Sequence, residues 1–578
     1  MKTYNYKDEY RRWLDSPSLS EAEWAELKSI ENDEKEIESR FYAPLEFGTA
    51  GLRGQMKVGL HNMNIHVIRH ATQSFADVIV AEGEDAMKKG IVIAHDCRLN
   101  GKDYAREAAC VMAANGIHVR LFESLRPTPE LSFAVLYYKT AAGLNITASH
   151  NPKEYNGYKV YWSDGAQLPP QKAEAIARRM EENDVFSSYK SCSFDEAVQA
   201  GNIEIIGAET DEAFLERVLG QAIDRQAVAE AADDLRIVYT PFHGCGYKLV
   251  PEALKRLGIK HLYPVKEQMV IDGNFPTVES PNPENPEGFY LAVDLAKEVD
   301  SDLIIGTDPD SDRIAIMVRS GNDEYKVISG NQLGVLLLDY VISARKATDS
   351  MPENPGAVAS LVSTNMARAI CEKNGIYFED TFTGFKFMAE AIARWTAENS
   401  HNYIFAFEES CGYMLGDYVR DKDAVTASMI VAEMAAHYHV KGMTLLDALH
   451  ALYEKYGFFM EKTLNLVMPG LDGLEKMAAI MSDLRTNVPG DIAGTEVLRA
   501  RDYSDGKIYV SGLGEVGNTP YKGSNVLYYE LADSTSFIIR PSGTEPKIKI
   551  YLLARGENEE ECAAKIEKYM AFAETLKK

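Results

Sequence analysis

Four times the chain drives a short apolar run straight into a polar loop, and this repeated pattern restricts its fold more than any other feature. Ile91-Val-Ile-Ala leads into His95-Asp96-Cys97-Arg98, and Arg236-Ile-Val-Tyr leads into Thr240-Pro-Phe-His243-Gly244. Leu303-Ile-Ile leads into Gly306-Thr-Asp308, and Tyr403-Ile-Phe-Ala-Phe leads into Glu408-Glu409-Ser410. A short apolar strand, a polar loop and then a helix, repeated, predict parallel α/β sheets. Ligands of such sheets sit off the carboxyl ends of the strands, where these loops fall. At 578 residues the chain exceeds one hydrophobic core, so about three or four domains are expected.

The ends read differently. Ser20 and Glu23 match a capping box, and Trp24, Leu27 and Ile30 follow at helical spacing, so a helical N-terminal extension is expected over the first forty residues. From about 456 onward the pattern alternates, as in Thr535-Ser-Phe-Ile-Ile and Ile548-Lys-Ile-Tyr-Leu, before a helical stretch near 557–577. That is the signature of a smaller α+β domain. Linker-like composition near 190–212, just past Arg319-Ser-Gly-Asn322 and around Lys455-Tyr-Gly-Phe458 places domains at 1–208, 209–320, 321–457 and 458–578.

An apolar share of 46% with 26% charged residues is that of an ordinary globular protein. A formal charge of −26 argues against nucleic acid or an anionic membrane as partner. It leaves a small anionic substrate possible, because a pocket sets its own local field. The N-terminus lacks the apolar core of a signal peptide, and no apolar run reaches bilayer length. Seven scattered cysteines, none in a CxxC pair, read as reduced thiols of a cytoplasmic protein.

Five loops carry chemistry. Leu144-Asn-Ile-Thr-Ala-Ser149-His150-Asn151-Pro152 stops an apolar run on a serine inside a constrained turn; Pro152 disfavours helix at Asn151, and Asn156-Gly157 predicts a second bend. A nucleophile or phosphate carrier suits that geometry, and so does a plain polar turn. Asp308-Pro-Asp310-Ser-Asp312-Arg313 places three carboxylates at alternate positions, whose mutual repulsion a hard divalent cation would relieve. An EF-hand would need Gly and Glu where Arg313 and Arg319 stand. Three protein carboxylates leave room for a phosphate oxygen, which suits Mg²⁺. Arg540-Pro-Ser542-Gly543-Thr544 combines a guanidinium fork, hydroxyls and a glycine into an anion cradle. Phe407-Glu408-Glu409-Ser410 could read sugar hydroxyls or be a solvated loop, and Glu46-Phe-Gly-Thr49-Ala-Gly-Leu-Arg53-Gly54 is a glycine-flanked loop with one arginine.

With these motifs in this order, the chain resembles the α-D-phosphohexomutase superfamily over essentially its whole length, nearest its bacterial long-form α-phosphoglucomutase branch. The matching pieces are Thr147-Ala-Ser149-His150-Asn151-Pro152, Asp308-Pro-Asp310-Ser-Asp312-Arg313, Phe407-Glu408-Glu409-Ser410 and Arg540-Pro-Ser542-Gly543-Thr544. Lys422-Asp423 and Thr383-Gly384-Phe-Lys386-Phe are similar to segments of phosphoglucomutases. Gly at 412 departs from the mannose-and-glucose branch, where a His stands; Phe407, where a Gly is usual, resembles the branch that includes phosphopentomutases.

The resemblance implies four domains around a central cleft: three mixed α/β domains carrying the phosphoserine, metal and sugar loops, then a C-terminal α+β domain with the phosphate loop. It implies interconversion of α-D-glucose 1-phosphate and glucose 6-phosphate through a phosphoserine and glucose 1,6-bisphosphate, the latter also an activator. Ser149 would be the phosphoryl carrier, with His150, Lys159, Arg53 and Lys422 as catalytic cations and the two lysines as general acid and base. Ser149, Asp308, Asp310 and Asp312 would hold Mg²⁺. Arg313, Thr383, Gly384, Lys386, Glu408, Ser410, Arg540, Ser542, Gly543 and Thr544 would bind a small phosphosugar. A monomer or homodimer without nucleic-acid or membrane partners is expected. Phosphomannomutase and phosphopentomutase activity are alternatives within the superfamily; a Mg²⁺-dependent sugar phosphatase or a non-catalytic sugar-phosphate sensor are alternatives outside it. A serine hydrolase is disfavoured by the absence of G-x-S-x-G.

Overall fold

The computed structural model describes residues 5–321, 324–468, 473–542 and 547–577. The chain divides into two compact units, Met1–Ile328 with Gly412–Gly442, and Ser329–Cys411 with Met443–Lys578. Mixed α/β sheets and a further C-terminal sheet make a four-domain α/β architecture.

The first unit holds two sheets. In one, Ile91–His95, Val119–Phe122, Ala142–Ile146 and Ile203–Ile206 run parallel. Tyr155–Trp162 and then Leu52–Gln55 extend it antiparallel. In the other, Arg236–Thr240, His261–Pro264 and Leu303–Thr307 run parallel, and Ile314–Arg319 and Tyr325–Ile328 add antiparallel strands. Ile91–His95 and Arg236–Thr240 each lead into a helix, Gly101–Ala114 and Gly246–Leu257. Leu303–Thr307 does not: its loop returns in an antiparallel strand. A parallel return needs a crossover of roughly a dozen residues or more, so a loop this short forces a hairpin. The serine loop is likewise a hairpin connection.

Asn156-Gly157 is not a turn but part of the strand Tyr155–Trp162. The Asn156 amide donates to Leu99 O at 3.1 Å. A Cβ at residue 157 would lie 2.4 Å from Thr147 O, so glycine serves close approach of two backbones rather than a bend. The supposed linker near 190–212 is also ordered, with a helix at Phe194–Gln199 and the edge strand Ile203–Ile206. The boundary expected at 320 falls inside the hairpin of Ile314–Arg319 and Tyr325–Ile328.

The N-terminal segment forms helices Tyr6–Leu14, Glu21–Ser29 and Glu34–Phe41, with the Ser20–Glu23 capping box in place. Trp13, Leu27 and Phe41 are buried in the same core as Ile68, Phe75 and Leu144, so this segment belongs to the first domain rather than extending from it. Trp24 stays outside, 46% exposed. The helix Ala424–Val440 packs on Arg225–Ala231 and Gly246–Leu257, which places residues 412–442 in the first unit.

In the second unit Pro355–Ser360 pairs in parallel with Tyr377–Thr381 and Asn402–Glu408. The C-terminal sheet is antiparallel throughout: Phe458–Val467 is an edge strand beside Lys547–Gly556, followed by Ser536–Pro541 and Leu527–Leu531, and the helix Glu559–Thr575 packs on it. Leu361, Val362 and Phe382 meet Tyr528, Ile538 and Tyr551 in a cluster that joins the two sheets of this unit. All seven cysteines are free thiols. Among the described residues no helix is long and apolar enough to cross a membrane.

Gly157→Ala is expected to lower the thermal midpoint by the equivalent of about 1–3 kcal/mol. Gly517→Ala, whose Cβ meets nothing within 4 Å, should be near neutral by the same measurement.

Candidate functional site

Ser149 lies in the hairpin loop between Ala142–Ile146 and Tyr155–Trp162, only 3% exposed. Its φ of 52° is left-handed, a conformation that costs a non-glycine residue about 1–3 kcal/mol. Its amide donates to Thr147 Oγ1 at 2.9 Å, and that hydroxyl donates to Asp96 Oδ2 at 2.6 Å. The loop's carbonyls converge on one guanidinium. Arg98 donates to Ser149 O at 2.7 Å, Asn151 O at 2.5 Å, Pro152 O at 2.8 Å and Tyr155 O at 2.9 Å. The Arg98 and Asp96 side chains are wholly buried and form an ion pair at 3.3 Å. Burial pushes the Asp96 carboxyl up to about 6, against the opposing pull of Arg98 and Thr147. Arg53 steadies the loop's outer side, donating to Asn151 Oδ1 at 2.8 Å.

The Ser149 hydroxyl donates to Asp308 Oδ2 at 2.9 Å and lies 3.2 Å from His150 Nδ1. Asp308, Asp310 and Asp312 are buried, each with a carboxylate oxygen within 4.8 Å of the others. Such a cluster of like charges must be compensated. The backbone amides of Asp312 and Arg313 both donate to Asp308 Oδ1 at 3.0 Å, and Thr128 Oγ1 donates to Asp310 Oδ2 at 2.7 Å. Lys159 Nζ reaches Asp310 Oδ2 at 2.6 Å and Asp312 Oδ2 at 3.1 Å. Lys422 Nζ lies 3.2 Å from Asp312 Oδ2 and 3.1 Å from Asp421 Oδ1. Asp310 Oδ1 and Asp312 Oδ1 remain buried without a hydrogen-bond donor among the described residues. Buried anionic oxygens left over in a three-carboxylate cluster fit a hard, oxygen-liganded divalent cation.

The charge states follow from the same neighbours. Burial first, then Asp310 and Asp312, push the Asp308 carboxyl far above its ordinary range. Burial also raises Asp310, but Lys159 outweighs it and holds that carboxyl low. Burial draws Lys159 down, yet Asp310 and Asp312 keep its ammonium above the usual value, so it is charged at neutral pH. Burial, then Arg313 and Arg53, hold the His150 imidazole well below 6.5, so it is neutral there and not the cation the resemblance implies. Arg313 itself donates to Glu284 Oε1 at 2.9 Å.

The second unit collects the remaining candidates. Glu408 ends the strand Asn402–Glu408 and accepts a hydrogen bond from the Gly384 amide, at the start of the helix Phe385–Glu398. A carboxylate is favoured at a helix N-terminus. Gly384 has φ 118°, which keeps Thr383-Gly384 in a turn few other residues adopt. Burial lowers the Lys386 ammonium. Glu409 Oε2 accepts from Ser360 Oγ at 2.9 Å, and the next turn passes through Ser410 to Cys411 at φ 62°. The Phe407 ring fills space that Gly334 leaves; a Cβ there would meet it at 2.3 Å. Arg540 lies near the end of Ser536–Pro541, and Ser542 N donates to Lys547 O at 2.9 Å across the loop base. Tyr551, pushed up to about 12 by burial and then Glu409, also feels Arg540 and Glu408, so the sugar-loop and phosphate-loop candidates share one neighbourhood. Gly543 and Thr544 lie outside the described residues.

Ser149, His150, Arg53, Lys159, the three aspartates, Arg313 and Lys422 therefore fall in the first unit, and Thr383, Gly384, Lys386, Glu408, Ser410, Arg540 and Ser542 in the second. Lys422, expected with the sugar loop's domain, stands on Asp312 instead. Sequence reasoning missed the roles of Asp96, Arg98, Thr147, Thr128 and Asp421. The polar loop His95-Asp96-Cys97-Arg98 was a signal, but nothing local shows that its arginine is buried against a distant loop.

Three family models match the chain: phosphoglucomutase/phosphomannomutase alpha/beta/alpha domain I over residues 44–186, domain II over 212–321 and domain III over 329–456. A phosphoglucomutase of Staphylococcus aureus (strain MRSA252) is 34% identical over 548 residues, covering 93% of this chain and 95% of its own. Among solved structures, pp63/parafusin, a phosphoglucomutase from Paramecium, matches with a TM-score of 0.69 at 17% identity, covering 92% of this chain and 95% of its own. A phosphoglucomutase/phosphomannomutase family protein from Burkholderia thailandensis matches with a TM-score of 0.64 at 18% identity, covering 92% and 97%. At these identities the two structures speak to the fold.

Arg98→Met leaves Asp96 buried without its cation and is expected to destabilise the first unit by about 3–5 kcal/mol in thermal melting. The double variant Asp96→Asn/Arg98→Met should melt higher than Arg98→Met alone.

Proposed function

We propose that Ser149 is the phosphoryl carrier of this chain, which belongs to the phosphoglucomutase/phosphomannomutase family of the α-D-phosphohexomutase superfamily and has phosphoglucomutase activity. The observation that carries the assignment is the Ser149 Oγ–Asp308 hydrogen bond at 2.9 Å, made by a buried serine on a strained loop beside a buried acidic cluster. Ser149 donates its phosphoryl group to the free hydroxyl of a sugar monophosphate: the serine O–P bond breaks as the sugar O–P bond forms, the sugar hydroxyl gives up its proton and the serine oxygen takes one up. The product, glucose 1,6-bisphosphate, presents its other phosphate and returns it to Ser149, leaving the isomeric monophosphate. Added glucose 1,6-bisphosphate acts as activator by rephosphorylating enzyme that has lost its phosphoryl group.

Asp308, Asp310, Asp312 and an oxygen of phosphorylated Ser149 would hold Mg²⁺, whose charge offsets the phosphoserine dianion and polarises the transferring group. The rest of the work is positioning and charge stabilisation, because the transition state of phosphoryl transfer is loose. Arg98 and Thr147 fix the serine loop, and Arg53 and Arg313 add positive charge. Lys159, held protonated, suits proton donation to the serine oxygen as it leaves, and Lys422 suits the reverse direction. Neutral His150 positions the serine oxygen. Glu408 and Ser410, with Thr383, Gly384 and Lys386, read the sugar hydroxyls, and Arg540, Ser542, Gly543 and Thr544 take the distal phosphate. In this reading the functional divisions are 1–208, 209–328, 329–457 and 458–578, with the second boundary moved past the hairpin of Ile314–Arg319 and Tyr325–Ile328, and the protein works in the cytoplasm as a monomer or homodimer on a small phosphosugar. Glucose is the first choice of sugar; Phe407 and Gly412 keep mannose and pentose phosphates as a second reading.

With glucose 1-phosphate, Mg²⁺ and a trace of glucose 1,6-bisphosphate, a coupled assay should form glucose 6-phosphate without free phosphate. Ser149→Ala should lower kcat by about a thousandfold or more; unchanged turnover would remove the serine from the mechanism. Steady phosphate release would favour a phosphatase, and faster turnover of mannose 1-phosphate or ribose 1-phosphate would reassign the sugar. Chelation should abolish turnover, and Asp310→Asn should weaken Mg²⁺ binding in calorimetry by about tenfold or more.

A further inference from the structure

The first domain has a cavity that none of this chemistry uses. It occupies about 230 Å³ and is lined by His95, Lys102, Arg106, Phe122, Glu123, Phe194 and Ile205 among others. His95 ends the strand Ile91–His95 and Phe122 ends Val119–Phe122, so the cavity lies at the carboxyl edge of a parallel sheet, where α/β folds place ligands. Lys102 and Arg106 are one helical turn apart on Gly101–Ala114 and point their charges to one face. In a chain of net charge −26, neither cation has a salt bridge or hydrogen bond among the described residues. Arg106 instead lies 4.2 Å from the Phe194 ring centroid, which leaves the N–H edge of its fork for an anion. Glu123 is the lining carboxylate, and it is already taken by Arg126 at 3.2 Å.

His95 adds a directional group. It is 7% exposed, and its Nδ1 is bonded to Asp96 O at 2.7 Å, an acceptor that fixes the proton on Nδ1. Nε2 has no partner among the described residues and is left as an acceptor on a residue that lines the cavity. An acceptor beside two cations calls for a ligand with a hydroxyl donor as well as a negative charge. Phe122, Leu121, Ala105 and Ile205 supply an apolar wall for a carbon skeleton.

We propose that this cavity is a second, non-catalytic binding site for a small hydroxylated organic phosphate. Lys102 and Arg106 hold its phosphate, and His95 Nε2 accepts from its hydroxyl. The site is coupled to the serine loop through one residue. His95 is bonded to the carbonyl of Asp96, whose carboxylate receives Thr147 Oγ1 and pairs with Arg98. A ligand that moves His95 therefore acts on the two groups that hold Ser149 in place.

Calorimetry of the full chain with glycerol 3-phosphate, with inorganic phosphate in parallel, tests this. Saturable binding of glycerol 3-phosphate is expected, tighter than that of inorganic phosphate. Lys102→Ala/Arg106→Ala should weaken it by about tenfold or more, with basal mutase activity unchanged. Ile205→Glu, at an exposed rim position, should weaken it likewise by repelling the anion, and serves if the double variant folds poorly. Binding should survive Arg540→Ala. Absence of binding, binding equal to that of inorganic phosphate, or binding that survives both cavity variants but vanishes in Arg540→Ala would overturn the second site. The last outcome would move the ligand to the phosphate loop and leave the catalytic assignment intact.

Discussion

The first unit is organised around the repulsion among Asp308, Asp310 and Asp312. Three buried carboxylates with oxygens within 4.8 Å of one another cannot all stay ionised without nearby positive charge. The surrounding chain supplies it from separate places: Lys159 from the strand Tyr155–Trp162, Lys422 from the inserted 412–442 segment, and the amides of Asp312 and Arg313 from the loop itself. Asp421, which pairs with Lys422, also accepts from Tyr161 and Gln167, so the two sheets of the unit and the inserted helix meet at one electrostatic centre. Ser149 is presented to this centre by its bond to Asp308.

A network of that kind requires a rigid frame. The serine loop has no regular structure of its own, and Arg98 replaces it by gathering four carbonyls in one planar fork, a task a lysine's single ammonium would do less well. Strained backbone recurs where the chemistry is expected. Ser149, Ser311 and Cys411, one in each of three candidate loops, are non-glycine residues with φ between 52° and 62°. Such conformations persist only where surrounding contacts over-determine them. Around Ser311 those contacts include Ala424 N, which donates to its carbonyl at 3.2 Å, and Cys245 N, which donates to Pro309 O at 2.8 Å.

Much of this was legible beforehand. The carboxylates at 308, 310 and 312 stand at alternate positions in the sequence, and the structure gathers them into one buried cluster that leaves two of their oxygens without donors. The capping box at Ser20 and Glu23 and the C-terminal helix, found at Glu559–Thr575, follow from local periodicity and capping chemistry. Other local signals misled. Asn156-Gly157 has turn composition, yet its glycine serves the approach of Thr147 and Leu52 backbones from neighbouring strands. The polar stretch near 200 resembles a linker, yet Ile203–Ile206 pairs with Val119–Phe122.

Features with a local cause could be read directly from residue order: strands and helices from periodicity, and the crowding of carboxylates at 308, 310 and 312 from their spacing; the residue types around Ser149 and Glu408 fitted a chemical loop and a plain turn alike. Which of these come together in space follows from the fold. It set Lys422 on Asp312 although it follows the sugar loop in the chain, placed Arg540 near Glu408, and buried Arg98 beneath Ser149. Burial and Coulomb interaction depend on distance in space, which the order of residues along the chain does not specify until the hydrophobic core has closed.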